Sequence, residues 1–142
     1  MEIPAKEVAD VLGLNVRRPI SKLDLAERLA HGLGVGSLDR LCRAIAPDNA
    51  SFELTLIPRA TLQRRRAKNV LTPGESALVG RLAQVWVTAL DVYQDADTAR
   101  RFLHEPHALL HGKKPIEVAR TNALGAEVVE DILGRLKYGS AA

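Results

Sequence analysis

The tetrapeptide Thr72-Pro73-Gly74-Glu75 opens a helical pattern that runs without interruption for four turns. Thr followed three residues later by Glu is a capping box, and Pro suits the first helical position because its missing N–H would have had no intrahelical acceptor. Behind this start Leu78, Leu82, Val85, Trp86, Ala89 and Val92 keep helical spacing,. Such a stripe has to be covered, and the rest of the chain offers only helices to cover it, since no run alternates apolar and polar residues for long enough to make a sheet. The expected fold is therefore all-α. The long helix should pack a C-terminal bundle, with a seam for a dimer, and Trp86 reads as a packing residue rather than a partner hot spot.

The flanking segments carry their own punctuation. A short helix is expected over residues 5–12. Ser21-Lys22-Leu23-Asp24 reads as an N-cap with an acid three residues on, starting a helix that ends around Gly32-Leu33-Gly34,. Ser37 is expected to cap the next, whose Leu38, Leu41, Cys42 and Ile45 form one stripe that stops before Pro47, so Cys42 reads as core,. Asp48-Asn49 should cap a short helix through Phe52 and Leu56, and Pro58 separates it from a basic helix at Arg59,. Later helices are expected from Asp95 or Asp97 to Glu105-Pro106, from Pro115, and from Gly125 onward. In the last, Val129, Ile132, Leu133 and Leu136 make the stripe, and Gly139 is placed to end it in a left-handed conformation,. Ser140-Ala141-Ala142 is left as a free tail.

Length and charge divide the chain. At 142 residues, 46% hydrophobic and 26% charged, it has a globular balance and room for one domain or two small ones,. Residues 1–74 hold 12 Lys and Arg against 8 Asp and Glu, whereas 75–142 hold 8 against 9. With the basic run ending at residues 69–72, the expected domains are 1–70 and 71–142. One cysteine, no apolar run of membrane-spanning length and an acidic N-terminus point to a cytoplasmic protein,. An aromatic content of 4% argues against a stacking platform for single-stranded nucleic acid,.

Arg59, Arg64, Arg65, Arg66 and Lys68 place five positive charges in ten residues without an acid, behind a short helix and a turn. That is the layout in which a recognition helix enters the major groove of DNA. Arg reads guanine and Gln reads adenine by paired hydrogen bonds, while further cations neutralise phosphates. The candidate DNA contacts are Arg59, Thr61, Gln63, Arg64, Arg65, Arg66 and Lys68. Leu62 is assigned to the core face, with Arg59, Gln63 and Arg66 opposed to it. A catalytic reading finds no support: there is no Gly-x-Ser-x-Gly, and Gly32-Leu33-Gly34-Val35-Gly36 lacks the Lys-Ser/Thr of a phosphate loop and reads as a linker. His104, His107 and His111 are interrupted by Pro106, which argues against a metal site,. No enzyme activity and no cofactor are expected.

Ordered motifs over the second half carry a resemblance. They are Leu71-Thr72-Pro73-Gly74-Glu75-Ser76, Arg81-Leu82-Ala83, Asp91-Val92-Tyr93, Ala99, Phe102-Leu103 and Pro106. Leu110-x-Gly112-x-x-Pro115, Thr121-x-x-x-Gly125 and Val129-x-x-x-Leu133-x-Arg135-Leu136-x-x-Gly139 follow. Residues 72–139 thereby resemble the toxin-binding domain of Xre/MbcA/ParS antitoxins. Residues from about 21 to 68 are similar to the degenerate Xre/Cro-type helix-turn-helix that precedes it in that family. Phe102 and His107 stand where the family usually has Trp and Asn, and Leu56 and Pro58 where its turn usually has Gly and a small residue. The resemblance implies an antitoxin that blocks the active site of a RES-domain, NAD-depleting toxin and represses its own promoter, as a homodimer within a larger complex and without a membrane. It implies toxin contacts at Asp131, Arg135, Lys137, Tyr138 and Gly139. The rival reading is a stand-alone helix-turn-helix repressor that binds its operator without a partner.

Overall fold

The computed structural model describes residues 5–14 and 19–139, and among them it contains helices and turns but no strand. The expected tail at 140–142 lies outside the described residues. In chain order the helices are α1 (Ala5–Val11), α2 (Lys22–His31), α3 (Val35–Ile45), α4 (Glu53–Leu56), α5 (Arg59–Lys68) and α6 (Pro73–Tyr93). They continue with α7 (Ala96–His104), a 3-10 turn (Ala108–Leu110), α8 (Pro115–Thr121) and α9 (Ala123–Lys137).

Helix α6 starts where the capping box requires. Glu75 N donates to Thr72 Oγ1 at 3.1 Å and Thr72 N donates to Glu75 Oε1 at 2.9 Å. Its 21 residues reach about 30 Å, and ten of them are buried, from Ser76 to Ala89,. A helix buried on most of its circumference needs neighbours on every side. Helices α1, α2 and α3 supply them from the first half, and α7, α8 and α9 from the second. Trp86 is 3% exposed, with the Arg100 guanidinium 5.5 Å from the ring centroid. One hydrophobic core, with Leu38, Leu41, Leu82, Leu103 and Leu133 at or near zero exposure, runs through both halves.

Three local readings are corrected by tertiary packing. Helix α3 begins at Val35 after Gly34, two residues before the expected cap, because Val35 is buried and drawn into the first turn. Ser37 instead lies inside, where its hydroxyl donates at 2.7 Å to Leu12 O, a carbonyl left open past the end of α1,. The short helix before the basic one is only Glu53–Leu56. Asn49 forms an Asx turn, accepting from Ser51 N at 3.1 Å, rather than capping a helix,. The glycine-rich segment is more than a linker: Leu33 donates from its N to Ser76 Oγ and accepts from Leu71 N, both at 2.8 Å. Gly32, at φ +94°, brings the chain so close that a Cβ would stand 2.6 Å from Leu71 O,. The final helix starts at Ala123 under an Asn122 cap, and Gly139 follows it at φ +64°, left-handed as expected.

Cys42 is half-buried on α3. Burial, with the carboxylates of Glu53 and Asp39 nearby, pushes its thiol up to about 12. Thiolate is the reactive form. At pH 8 the native chain is therefore expected to react with a disulfide reagent far more slowly than the denaturant-unfolded chain, and equal rates would contradict this packing. A second expectation concerns Glu75. Its burial works to raise the carboxyl, but the Arg65 guanidinium and the Thr72 backbone outweigh it and hold the group below its ordinary value. Stability from a depressed carboxylate is present above the unfolded-state value and disappears as pH falls through the folded-state one. Glu75→Gln should lower stability by about 1 kcal/mol at pH 7, with the gap to wild type closing below about pH 4 in thermal or denaturant melts. A gap independent of pH would count against the charge.

Candidate functional site

The turn between α4 and α5 consists of Ile57 and Pro58. Ile57 is extended, as a residue before proline prefers, and is 1% exposed,. Pro58 precedes the first turn of α5 and accepts from Leu62 N at 2.8 Å, so the Pro in place of a small turn residue is accommodated without a break. Leu62 is the buried anchor of α5.

Around that anchor the basic residues divide into two groups. Arg66 follows Leu62 by four residues, a rotation of only about 40°, so it lies beside the core face and not opposite it. There its guanidinium clasps Asp39 at 2.9 and 3.1 Å and Glu53 at 2.8 Å, joining α5 to α3 and α4. Those hydrogen bonds, Asp39 first, raise the Arg66 pKa further against the effect of burial. Arg65 turns towards α6, donating from Nε to Glu75 Oε1 at 2.7 Å. The face expected for Arg59, Gln63 and Arg66 is thus corrected: Ala60, Arg64 and Ala67 lie opposite Leu62, Gln63 and Lys68 stand to either side of them, and Arg59, about 60° round from Leu62, is nearer the core face though exposed,. Arg59, Gln63 and Lys68 are exposed, with no polar partner among the described residues. Arg64 is exposed and touches only Thr61 Oγ1, at 3.4 Å. Two of the five positive charges hold the helix in place, and three face outward.

The second half reaches back to hold these helices. Arg100 Nε donates to Ala44 O at 2.7 Å and His104 Nε2 donates to Ile45 O at 3.0 Å, capping the open carbonyls at the end of α3,. The His104 ring also stands edge-on to Phe52, 5.9 Å between centroids. Arg120 Nη1 donates to Thr55 O in α4 at 3.3 Å. Sequence periodicity could not have found these contacts, which join residues 56 to 65 positions apart. His107 meanwhile accepts from Leu109 N and edges against Phe102, so the histidines serve separate local tasks. Among the described residues no three His, Cys, Asp or Glu side chains are grouped as metal ligands.

In the second half of the chain, α9 lies on α6 and α8. Gly125 allows the crossing with α8, since a Cβ there would stand 2.1 Å from Val118 O. Lys137 pairs with Asp91 of α6, and this hydrogen bond raises the Lys137 pKa. Asp131, Arg135, Tyr138 and Gly139 are exposed on the end of the helix, Tyr138 at 68%. The Lys137 ammonium stands 5.9 Å from the Tyr138 ring centroid.

A family model for the antitoxin Xre-like helix-turn-helix domain matches residues 24–84, and one for the antitoxin Xre/MbcA/ParS C-terminal toxin-binding domain matches residues 88–139. Both describe regulatory modules rather than enzymes. The two matches meet inside α6, so the helix that buries the core also joins the modules. No curated protein matches the chain. No helix among the described residues is long and apolar enough to cross a membrane. With a helix-turn-helix followed by a toxin-binding domain on one continuous core, the chain belongs to the Xre-type antitoxins.

Proposed function

We propose that this antitoxin neutralises a RES-domain toxin that degrades NAD, by blocking the toxin's active site, and that it represses its own promoter in the cytoplasm. The observation carrying the reading is the uninterrupted succession of the two antitoxin modules across residues 24–139. On the DNA side, Arg59, Gln63 and Arg64 of α5 contact base edges and Lys68 a phosphate, with Thr61 beside them. Arg65 and Arg66 act from within, fixing the angle of α5 through Glu75, Asp39 and Glu53. Three outward cations neutralise few phosphates, so tight binding needs two recognition helices, supplied by a homodimer whose half-sites lie about one helical turn apart.

On the toxin side, Asp131, Arg135, Lys137, Tyr138 and Gly139 approach the pocket. A slim helix end with cationic and aromatic side chains suits a cleft shaped for a charged substrate. The division of labour is testable. Replacing Arg59, Gln63 and Arg64 together with Ala should weaken promoter binding by about tenfold or more, with neutralisation of the co-expressed toxin unchanged. Equal loss of both activities would overturn it. Removing residues 135–142 should abolish neutralisation, seen as arrested growth and falling cellular NAD when the adjacent reading frame is induced, while helical circular dichroism is retained. Neutralisation by the shortened chain would exclude the end of α9 as the inhibitory element. Tight operator binding by a chain that protects against no neighbour would favour the stand-alone repressor.

A further inference from the structure

Between α8 and α9 the surface opens into a cleft of about 370 Å³, within the size range of small-ligand sites,. Lys113, Glu117, Val118, Arg120, Thr121 and Asn122 line it, and no residue assigned above to toxin or DNA does. Its charges are of both signs and stand unpaired. The Lys113 ammonium and the Glu117 carboxylate have no side-chain partner among the described residues, although Glu117 and Arg120 are three positions apart on α8. Arg120 uses one N–H, from Nη1, on Thr55 O at a long 3.3 Å, and the rest of its guanidinium has no side-chain or carbonyl partner among the described residues. The neighbouring polar groups are already sorted by role. Thr121 Oγ1 donates its proton to Glu117 O at 2.8 Å and offers only lone pairs to the cleft,. Asn122 Oδ1 accepts from Gly125 N at 2.8 Å and leaves only its amide N–H groups,. The backbone that carries these groups is fixed, since Arg81 holds Ala119 O and Arg120 O at 3.0 and 2.8 Å.

We propose that this cleft binds a phosphorylated sugar, with the phosphate on Lys113, Arg120 and the Asn122 amide, and the sugar hydroxyls on Glu117 and Thr121. A guanidinium fork beside an ammonium suits a phosphate. The carboxylate selects the rest of the ligand. A bare anion would leave Glu117 facing a like charge with nothing to accept, whereas a phosphate monoester bearing hydroxyls satisfies both ends of the cleft. A nucleobase is disfavoured, because no aromatic side chain lines the cleft to stack on it and Val118 alone gives an apolar wall,. A DNA backbone fits less well, since its sugars carry no hydroxyl to donate to Glu117. The site also touches the first module. Thr55 O lies at the end of α4, two residues before Ile57 begins the turn into α5. A phosphate that takes up the Arg120 guanidinium competes with this carbonyl for it, so occupancy of a cleft in the second module alters the turn of the helix-turn-helix. Ligand binding here depends on neither the toxin nor the operator.

The experiment is a titration of the full, isotope-labelled chain with ribose 5-phosphate, followed by amide NMR shifts and calorimetry, with inorganic phosphate and ribose as separate arms. Ribose 5-phosphate should bind with a Kd of about 1 mM or tighter, and about tenfold more tightly than either part alone. The amides that move should be those lining the cleft and those of Thr55 and Ile57. Lys113→Ala and Arg120→Ala should each weaken binding by about tenfold. Glu117→Ala should narrow the preference for ribose 5-phosphate over inorganic phosphate by about the same factor, because the hydroxyls lose their acceptor while the anion loses a repulsive neighbour. Circular dichroism melts check that each variant is folded, and the exposed Lys113, which has no side-chain partner, decides the matter should Arg120→Ala unfold the chain. No saturable response to ribose 5-phosphate, equal affinity for inorganic phosphate, or cation variants that bind as wild type does would each overturn the proposal. So would cleft shifts that appear only with duplex DNA, which would make the occupant a DNA backbone. Saturable binding that leaves Thr55 and Ile57 unmoved would refute the link to the helix-turn-helix.

Discussion

The carboxylate of Glu75 sits at the junction on which the arrangement of the two modules depends. One oxygen, Oε1, accepts from the Thr72 backbone that begins α6 and from the Arg65 guanidinium at the end of α5. A capping box alone would fix a helix start, and an Arg–Glu pair alone would add little at a site still partly open to water,. Sharing one acceptor between them couples where α6 begins to where α5 points. Beside this junction Leu33 bonds Leu71 and Ser76 through its backbone, so α2 and α3 meet the same few residues. The helix-turn-helix is thereby assembled against the first turns of α6.

From there the dependence spreads along α6. A helix buried over most of its length cannot be shared between two cores that move apart without exposing apolar surface to water. The polar contacts run the same way: Arg100, His104 and Arg120, all from the second module, satisfy carbonyls of α3 and α4. Arg81, whose pKa burial lowers, holds Ala119 O and Arg120 O at the end of α8. It thus supports the turn from which Arg120 reaches the first module. Among the described residues no buried side-chain nitrogen or oxygen lacks a partner, so these caps complete a satisfied interior. The helix-turn-helix module is held partly by residues of the toxin-binding module.

Legibility in the sequence followed the range of each interaction. Local chemistry was readable: the boxes at Ser21 and Thr72, the left-handed Gly139, the buried Leu38, Leu41 and Ile45 of α3, Val129, Ile132 and Leu133 of α9, and the burial of Trp86 all follow from residues a few positions apart, whereas Leu136, expected in the α9 stripe, is 52% exposed. What escaped was set by distant partners. Ser37 has the residue type of a cap, but Leu12 O draws its hydroxyl inward. Arg65 and Arg66 look like their neighbours in a basic run until Glu75, Asp39 and Glu53 are placed beside them. Even the period misled where only one apolar residue, Leu62, was available to set the phase of α5. A longer stripe would have shown that Arg66 lies next to the core. The motifs of the second half carried the family, while the geometry of the first half had to come from the fold.

The division of charge within α5 has a consequence for how such a module works. A recognition helix of ten residues needs a defined tilt as well as free cations, and its own propensity gives little stability at that length,. Here the two cations at 65 and 66 supply the tilt by pairing with acids on α6, α3 and α4. In the DNA-binding role proposed for α5, those internal pairs would add nothing to counterion release, and the three outward charges would set the salt dependence. Rigidity and affinity are drawn from the same short basic run, so more of one means less of the other in a single copy. Duplication relieves this conflict: two well-held helices on one DNA double the outward charge without loosening either, provided that the copies are joined at a fixed spacing.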